Sequence, residues 1–493
     1  MRTLQNFIGG RFANAGGGGW LDDIEPATGL PLARVPDSQA ADVDAAVRAA
    51  ADAFPACAAT PSTERSRILL RLADLIDANL DMLALAESQD AGKPITAART
   101  IDIPRSAANL RYFATAILHT TSESHAFDGG GTPGGVPAIN WTLRSPRGVA
   151  GCISPWNLPL YLLTWKLAPA LATGNTCVAK PSEITPITAH LLAELSLEAG
   201  LPPGVLNIVH GTGLGAGAPL VSHSSVPTIT FTGSTAVGKW IGETCGRLLK
   251  RVSLELGGKN PFIIFDDALL DGPDGAIQTA SRAAFSNQGQ ICLCGSRLLI
   301  HDAVYDRVVR ELVAHARSLM PGDPSDPATR FGAITSKAQL DKIDAMVREA
   351  EQSGGKILCG RARANPSDLP ERCKDGFFYL PTVIEGLSPT CRTEQEEIFG
   401  PVVTLQRFRN EQEALELANG TAYGLAATLF TRDVSRAGRM AQNLATGIVW
   451  VNCWMVRDLR TPFGGVKQSG VGREGGAEAL RFFTEPKNVC IRT

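Results

Sequence analysis

The chain has 493 residues, with 47 Lys and Arg against 49 Asp and Glu, for a formal net charge of −2. That balance offers no basic field to nucleic acid, and 44% hydrophobic with 19% charged residues excludes a disordered chain. The length predicts two to four domains with substantial cores.

The N-terminus, residues 1–8, lacks the long apolar run of a signal peptide, and a cytoplasmic location is expected. Two amphipathic helices come early. Val43, Val47, Ala50 and Phe54 share one face, and Leu69, Leu72, Ile76, Leu80 and Leu83 share another. Short apolar strands then alternate with helices. Strands are expected at 148–153, 176–179, 205–209, 228–231 and 252–256, with helices around 160–173, 185–199, 214–222 and 235–249. That alternation predicts right-handed crossovers and a parallel sheet covered on both faces, an α/β fold. The most apolar segment, 158–172, is interrupted by Pro159, Lys166 and Pro169 and reads as a buried helix, not a membrane span. A second α/β pattern follows residue 292, with helices at about 303–319 and 336–353 and strands near 403–408 and 447–451.

Two segments fit neither pattern. A glycine-rich turn at 128–136 leads into an alternating strand at 139–144, and 489–492 is another short strand without a local partner. Such strands either complete a sheet in a neighbouring subunit or pack as a hairpin on their own chain.

Eleven cysteines show no Cys-x-x-Cys spacing and seven histidines form no His-x-x-x-His cluster, so no metal is expected and most thiols are read as reduced. Cys292, in Asn287-Gln-Gly-Gln-Ile-Cys292, is the exception. Together with Glu255, in Leu254-Glu-Leu-Gly-Gly-Lys259, it supplies the thiol and carboxylate that oxidation of an aldehyde through a thioester requires. A thiol near its reference pKa of about 8.5 is a poor nucleophile at neutral pH, so a helix N-terminus or nearby dipoles are expected to lower it. Asn157, in Pro155-Trp-Asn-Leu-Pro159, is an uncharged donor suited to an oxyanion, or a turn capping the helix after it. Glu255 at the end of an apolar strand is either a base raised by burial or a partner of Lys259. Cys294, two residues on, packs or touches substrate.

A nucleotide site has three candidate pieces. Gly211-Thr-Gly213-Leu-Gly-Ala216 matches the dinucleotide fingerprint but lacks an acid about twenty residues on, so a plain β–α turn accounts for it as well. Lys180-Pro-Ser-Glu183 follows a strand directly, and its carboxylate suits the ribose hydroxyls of NAD while repelling a 2′-phosphate. Phe231-Thr-Gly233-Ser-Thr opens a helix whose free N–H groups suit a pyrophosphate. Glu397, before Phe399-Gly-Pro401, is an ordinary loop or a clamp on the nicotinamide ribose.

These motifs, with Val149-Ala-Gly-Cys-Ile-Ser-Pro-Trp-Asn157, Leu254-Glu-Leu-Gly-Gly-Lys-Asn260 and Pro462-Phe-Gly-Gly465, resemble the aldehyde dehydrogenase superfamily in order over nearly the whole chain. The resemblance implies a Rossmann-like NAD-binding domain (1–124 and 145–257), a catalytic domain (258–460) and an oligomerisation arm (125–144 and 476–493). It implies Cys292 as nucleophile, Glu255 as general base and Asn157 as oxyanion donor. It implies an NAD site over Ile153, Ser154, Trp156, Lys180, Ser182, Glu183, Gly213, Gly217, Phe231, Thr232, Gly233, Ser234, Leu256, Glu397 and Phe399, in a homodimer or homotetramer. Cys292-Leu-Cys294 and residues 450–460 look like the 2-aminomuconate and 2-hydroxymuconate semialdehyde dehydrogenases. In that branch the substrate carries a carboxylate, and the resemblance maps the arginines holding it to Arg111 and Arg460, with Trp165 and Cys294 also lining the pocket. A guanidinium fork binds a carboxylate bidentately, whereas the alternatives are a surface ion pair for Arg111 and a loop salt bridge for Arg460. The competing readings are another aldehyde, such as betaine aldehyde or an aliphatic one, and a non-catalytic protein on the same fold.

Overall fold

Two largely parallel sheets, joined through residues 256–260, carry the site in the computed structural model, which describes residues 1–131 and 133–493. The first sheet has five parallel strands at its centre, in the order Arg251–Glu255, Thr228–Thr232, Val149–Ile153, Thr176–Lys180 and Leu206–Ile208. They match the expected strands to within a residue or two, because strands buried on both faces read as unbroken apolar runs. Antiparallel strands finish the edges: Gly470–Val471 beyond Glu255, and Asn6–Ile8 with Arg11–Ala13 beyond Leu206. The strand order reverses between Val149–Ile153 and Thr228–Thr232, which opens a crevice at the carboxyl ends of both strands.

The helix Pro159–Ala172 is buried along nearly its whole length and begins on a proline, whose missing N–H has no partner in a first turn anyway. Two expected helices differ. Leu80 and Leu83 do not continue the helix Ser62–Ala78, because the chain breaks at Asn79 and a new helix, Leu80–Ala91, begins. Residues 214–222 divide into a π-helical turn, Gly213–Gly217, and one α turn, Ala218–Ser222.

The second sheet runs Lys356–Cys359, Thr382–Glu385, Val402–Phe408, Arg297–His301, Pro261–Ile264, Ala426–Phe430 and Ile448–Val451, parallel except at its first pair. The helices Tyr305–Ser318 and Lys337–Gln352 lie where the periodicity puts them. The two unassigned strands pair with each other: Ala138–Pro146 runs antiparallel to Thr484–Arg492 over nine residues, with Ser124–Phe127 on its other side. They therefore form a sheet within their own chain. Residue 132, in the glycine-rich turn, lies outside the described residues. Among the described residues no helix is long and apolar enough to cross a membrane.

Candidate functional site

The loop carrying Cys292 is wound against its natural hand. Asn287, Gln288 and Gly289 follow one another at φ of 50°, 55° and 70°. Only glycine fits the third position, because a Cβ there would drive into the Gly400 carbonyl. Asn260, buried at the start of the second sheet, holds the loop's far side. Its Nδ2 donates to the carbonyls of Cys292 (2.7 Å) and Cys294 (2.9 Å), and its Oδ1 accepts from the Ala426 N–H at 3.1 Å. Cys292 faces a cavity of about 160 Å³ bounded by Asn157, Thr232, Leu256, Lys342 and Glu397. Cys294 does not line that cavity. It is buried, and burial pushes its thiol up to about 12.

Asn157 stands just beyond the strand Val149–Ile153, 4% exposed. Its Nδ2 donates to the Gln290 carbonyl at 2.9 Å, which uses one of the amide's two hydrogens and leaves the other for a ligand. The sequence alternative, capping the helix Pro159–Ala172, is not observed: that helix has Leu158 at its N-cap and no side-chain cap bond.

Glu255 ends its strand with both carboxylate oxygens buried and unpartnered, so it is not paired with Lys259. Burial, then the neighbouring Glu474, raise its pKa well above the ordinary carboxylate range, against Lys166, Arg473 and Arg457. Glu474 is itself held by the buried Lys166 Nζ at 2.9 Å. The Cys292 thiol is also raised, first by burial and then by Glu397 and Glu255, with Arg457 opposing. This corrects the expectation that local dipoles lower it.

On the crevice side, Glu397 Oε1 accepts the Gly258 N–H at 2.9 Å, and burial raises its carboxyl to about 7. Gln339 and Lys342, from the distant helix Lys337–Gln352, hold that loop by donating to the carbonyls of Ile398, Phe399 and Glu397. Trp156 and Phe399 meet edge to face at 5.1 Å across the cavity rim. Lys180 Nζ pairs with Glu183 at 2.7 Å beside buried Ser182, one strand over from Ile153 and Ser154. Ser234 caps the helix Thr235–Arg247, accepting the Val237 N–H. Gly213 and Gly217 lie apart from this cavity, on the turn after Leu206–Ile208, with open space where a Cβ would stand. Two observations fit a dinucleotide in the crevice. The buried hydroxyls of Ser154 and Thr232 lack partners, and a helix opens its free N–H groups next to Phe231 and Gly233.

The two expected arginines both turn outward. Arg111 points outward to Asp74 and Asp77, at 2.6 Å each, and Arg460 is 79% exposed and closed onto Asp458. Their guanidiniums already hold acids, so neither is brought to Cys292. Arg105 and Arg457 face inward instead. Arg457 donates to the Tyr161 hydroxyl at 2.7 Å and covers Trp165 at 5.2 Å and Phe463 at 4.1 Å. Arg105 lies 5.7 Å over the same Tyr161 ring, with buried Nε and Nη2 atoms that have no partner. Among the described residues neither forms a salt bridge. Two neighbouring cations without a counterion make a receptor for an anion. Helical spacing was the available signal: Arg105 falls on the face of Asn109 and Tyr112, and Arg111 does not.

The sequence profile of the Aldehyde dehydrogenase family matches residues 13–489. The chain belongs to the aldehyde dehydrogenase family. It is an oxidoreductase acting on aldehydes. The 2-aminomuconic semialdehyde dehydrogenase of Danio rerio is 49% identical over 490 residues, covering 99% of this chain and 98% of that one. The 2-hydroxymuconic semialdehyde dehydrogenase of Pseudomonas sp. (strain CF600) is 45% identical over 494 residues, covering all of both. The crystal structure of PnpE from Pseudomonas sp. WBC-3 superposes with a TM-score of 0.94 at 42% identity, over 100% of this chain and 98% of that one, and PnpE has also been crystallised with nicotinamide adenine dinucleotide.

Proposed function

We propose that this aldehyde dehydrogenase, with NAD as its cofactor, oxidises 2-aminomuconate or 2-hydroxymuconate semialdehyde to the dicarboxylate. The observation that carries the substrate is the neighbouring pair Arg105 and Arg457 on the Tyr161 ring, neither in a salt bridge among the described residues, with Arg457 near enough to oppose the upward shift of the Cys292 thiol. A short unsaturated aldehyde with a carboxylate at its other end places its acid on the two guanidiniums and its carbonyl at the sulfur. The names and full-length identity of the relatives support the same substrate class.

Of the two carboxylates whose charge the thiol feels, Glu397 is tied to the Gly258 N–H and Glu255 has both oxygens free. Glu255 is therefore the base. The Cys292 thiol gives its proton to Glu255, which passes it to solvent, as Sγ adds to the carbonyl carbon; the Cys292 N–H with the free hydrogen of Asn157 Nδ2 holds the resulting oxyanion, about 3 kcal/mol for each such donor. NAD, when bound, supplies the acceptor for the hydride that leaves this adduct. Glu255 then takes a proton from the water that cleaves the thioester, releasing the acid and the sulfur. Lys180, Glu183, Ser234 and Glu397 would hold the dinucleotide, with Ile153, Ser154, Trp156, Leu256 and Phe399 along its course and Gly213 and Gly217 at its far edge. Glu183 would favour NAD over NADP.

The division into an NAD-binding domain (1–124 and 145–257), a catalytic domain (258–460) and an arm (125–144 and 476–493) belongs to the same proposal. The three-stranded sheet exposes Phe127, Ile139, Leu143 and Ile491, a surface for a second copy in a dimer or tetramer. Light scattering after chromatography would read a monomer if that is mistaken. The activity itself is tested by NADH absorbance across paired aldehydes of equal length, with and without a terminal carboxylate. A higher kcat/KM for the carboxylate-bearing member is expected, and equal values would remove the substrate assignment.

A further inference from the structure

Lys93 has no part in the steps above, yet it is 1% exposed and reaches the site. It follows Gly92, whose φ of 74° ends the helix Leu80–Ala91. Its Nζ donates to Asp102 Oδ2 at 2.6 Å and to the main-chain oxygen of Asn157 at 3.1 Å, and lies 3.9 Å from Glu87 Oε1. The same Asn157 oxygen accepts from Asn287 Nδ2 at 3.1 Å. Asn287 Nδ2 also donates to the Gln290 carbonyl at 3.2 Å, the oxygen that receives Asn157 Nδ2. A closed polar ring thus joins the Asn157 loop to the Cys292 loop, and the Lys93 ammonium docks on it from outside.

An ammonium buried this deeply must have its three hydrogens satisfied. Asp102 and Glu87 supply charge, and Glu87 is held in turn by the Thr188 hydroxyl at 3.0 Å. Of its hydrogen bonds, one goes to Asp102 and the other to the carbonyl of the very residue read as the oxyanion donor. A charge-assisted bond to a main-chain atom fixes where the side chain begins, and an oxyanion donor works only within a few tenths of an ångström of its place. Lys93 is anchored by helical elements on either side of it, Glu87 from Leu80–Ala91 and Asp102 from the turn Ala98–Asp102, so the support is stiff.

We infer that Lys93 is a positioning residue for the reaction: through the Asn157 carbonyl it sets the asparagine so that the amide hydrogen not used by Gln290 faces the oxygen of the adduct. It touches neither substrate nor cofactor. The inference rests on the reading of Asn157 as the oxyanion donor.

A double-mutant cycle tests it, using single-turnover NADH formation by the full-length enzyme with saturating NAD. Asn157→Ala is expected to slow the step by about 10²–10³-fold, the usual cost of one oxyanion donor. Lys93→Met is expected to slow it by about tenfold or more, and the double variant to be no slower than Asn157→Ala alone. KM for NAD and the rate of Cys292 alkylation by iodoacetamide should stay within about twofold in Lys93→Met, since neither uses the Asn157 amide. Losses that multiply in the double variant overturn the inference and leave the donor reading intact. A fully active Asn157→Ala removes the donor reading and the inference with it. Should Lys93→Met not fold, with Asp102 left uncompensated, Lys93→Met combined with Asp102→Asn enters the same cycle under the same criteria.

Discussion

Arg105 and Arg111 stand on one helix, Ile103–Ala116, and Arg457 and Arg460 on one loop, yet in each pair one guanidinium packs on the Tyr161 ring and the other turns outward to an acid. The outer two are already neutralised. Arg111 bridges Asp74 and Asp77 on the neighbouring helix, and Arg460 closes on Asp458, whose carboxyl it holds down at about 2. The inner two lean on Tyr161, Trp165 and Phe463, aromatic faces that receive a cation without cancelling its charge. A motif match locates the segment. Which of its arginines stays free of acids depends on the helix face and on where acids already lie.

Arg457→Ala should show the largest effect. With a carboxylate-bearing semialdehyde, kcat/KM is expected to fall about 10²–10³-fold, the size of losing a charge-assisted fork. Part of that loss should also appear with an uncharged aldehyde, because this guanidinium opposes the upward shifts of Cys292 and Glu255. Arg105→Ala is expected to cost about 10–10²-fold, confined to the carboxylate substrate and carried by KM. Equal losses on both aldehydes would break the distinction between the inner and outer pairs. A pH profile sharpens it further. Glu255 is neutral below its raised pKa, so the base is absent at low pH and kcat should rise with pH through a limb above the ordinary carboxylate range. Arg457→Ala should move that limb to higher pH, while Arg105→Ala should not; a limb near pH 4 would refute the dry environment of Glu255. The smallest changes belong to Arg111→Ala and Arg460→Ala, within about twofold on either aldehyde, as for exposed ion pairs. A selective rise in KM for the carboxylate substrate in Arg460→Ala would return the role to the outer pair.

The parallel core was legible because its strands are apolar runs closed by turns, and Cys292, Glu255 and Asn157 stand in short runs whose chemistry shows locally. What escaped is long-range. Asn6–Ile8 extends the first sheet beside Leu206–Ile208, and nothing in its three residues announces that partner. Asn260 holds Cys292, Gln339 holds Phe399 and Lys93 holds Asn157, each through a contact between distant parts of the chain. The break at Asn79 was hidden because Leu80 and Leu83 happen to keep the helical period of Leu69 and Ile76. The direction of the Cys292 shift is likewise long-range: burial raises the thiol most, and then Glu397 and Glu255, all of which depend on packing between distant segments.

The bare contact of Gly289 with the Gly400 carbonyl has a mechanical consequence. With no side chain to cushion them, the hinge that aims the sulfur and the stem of the Glu397 loop behave as two gears with meshed teeth. On the proposed reading of Glu397 and Cys292, a push from a ribose at position 397 would reach the thiol through this contact and couple dinucleotide seating to the aim of the sulfur.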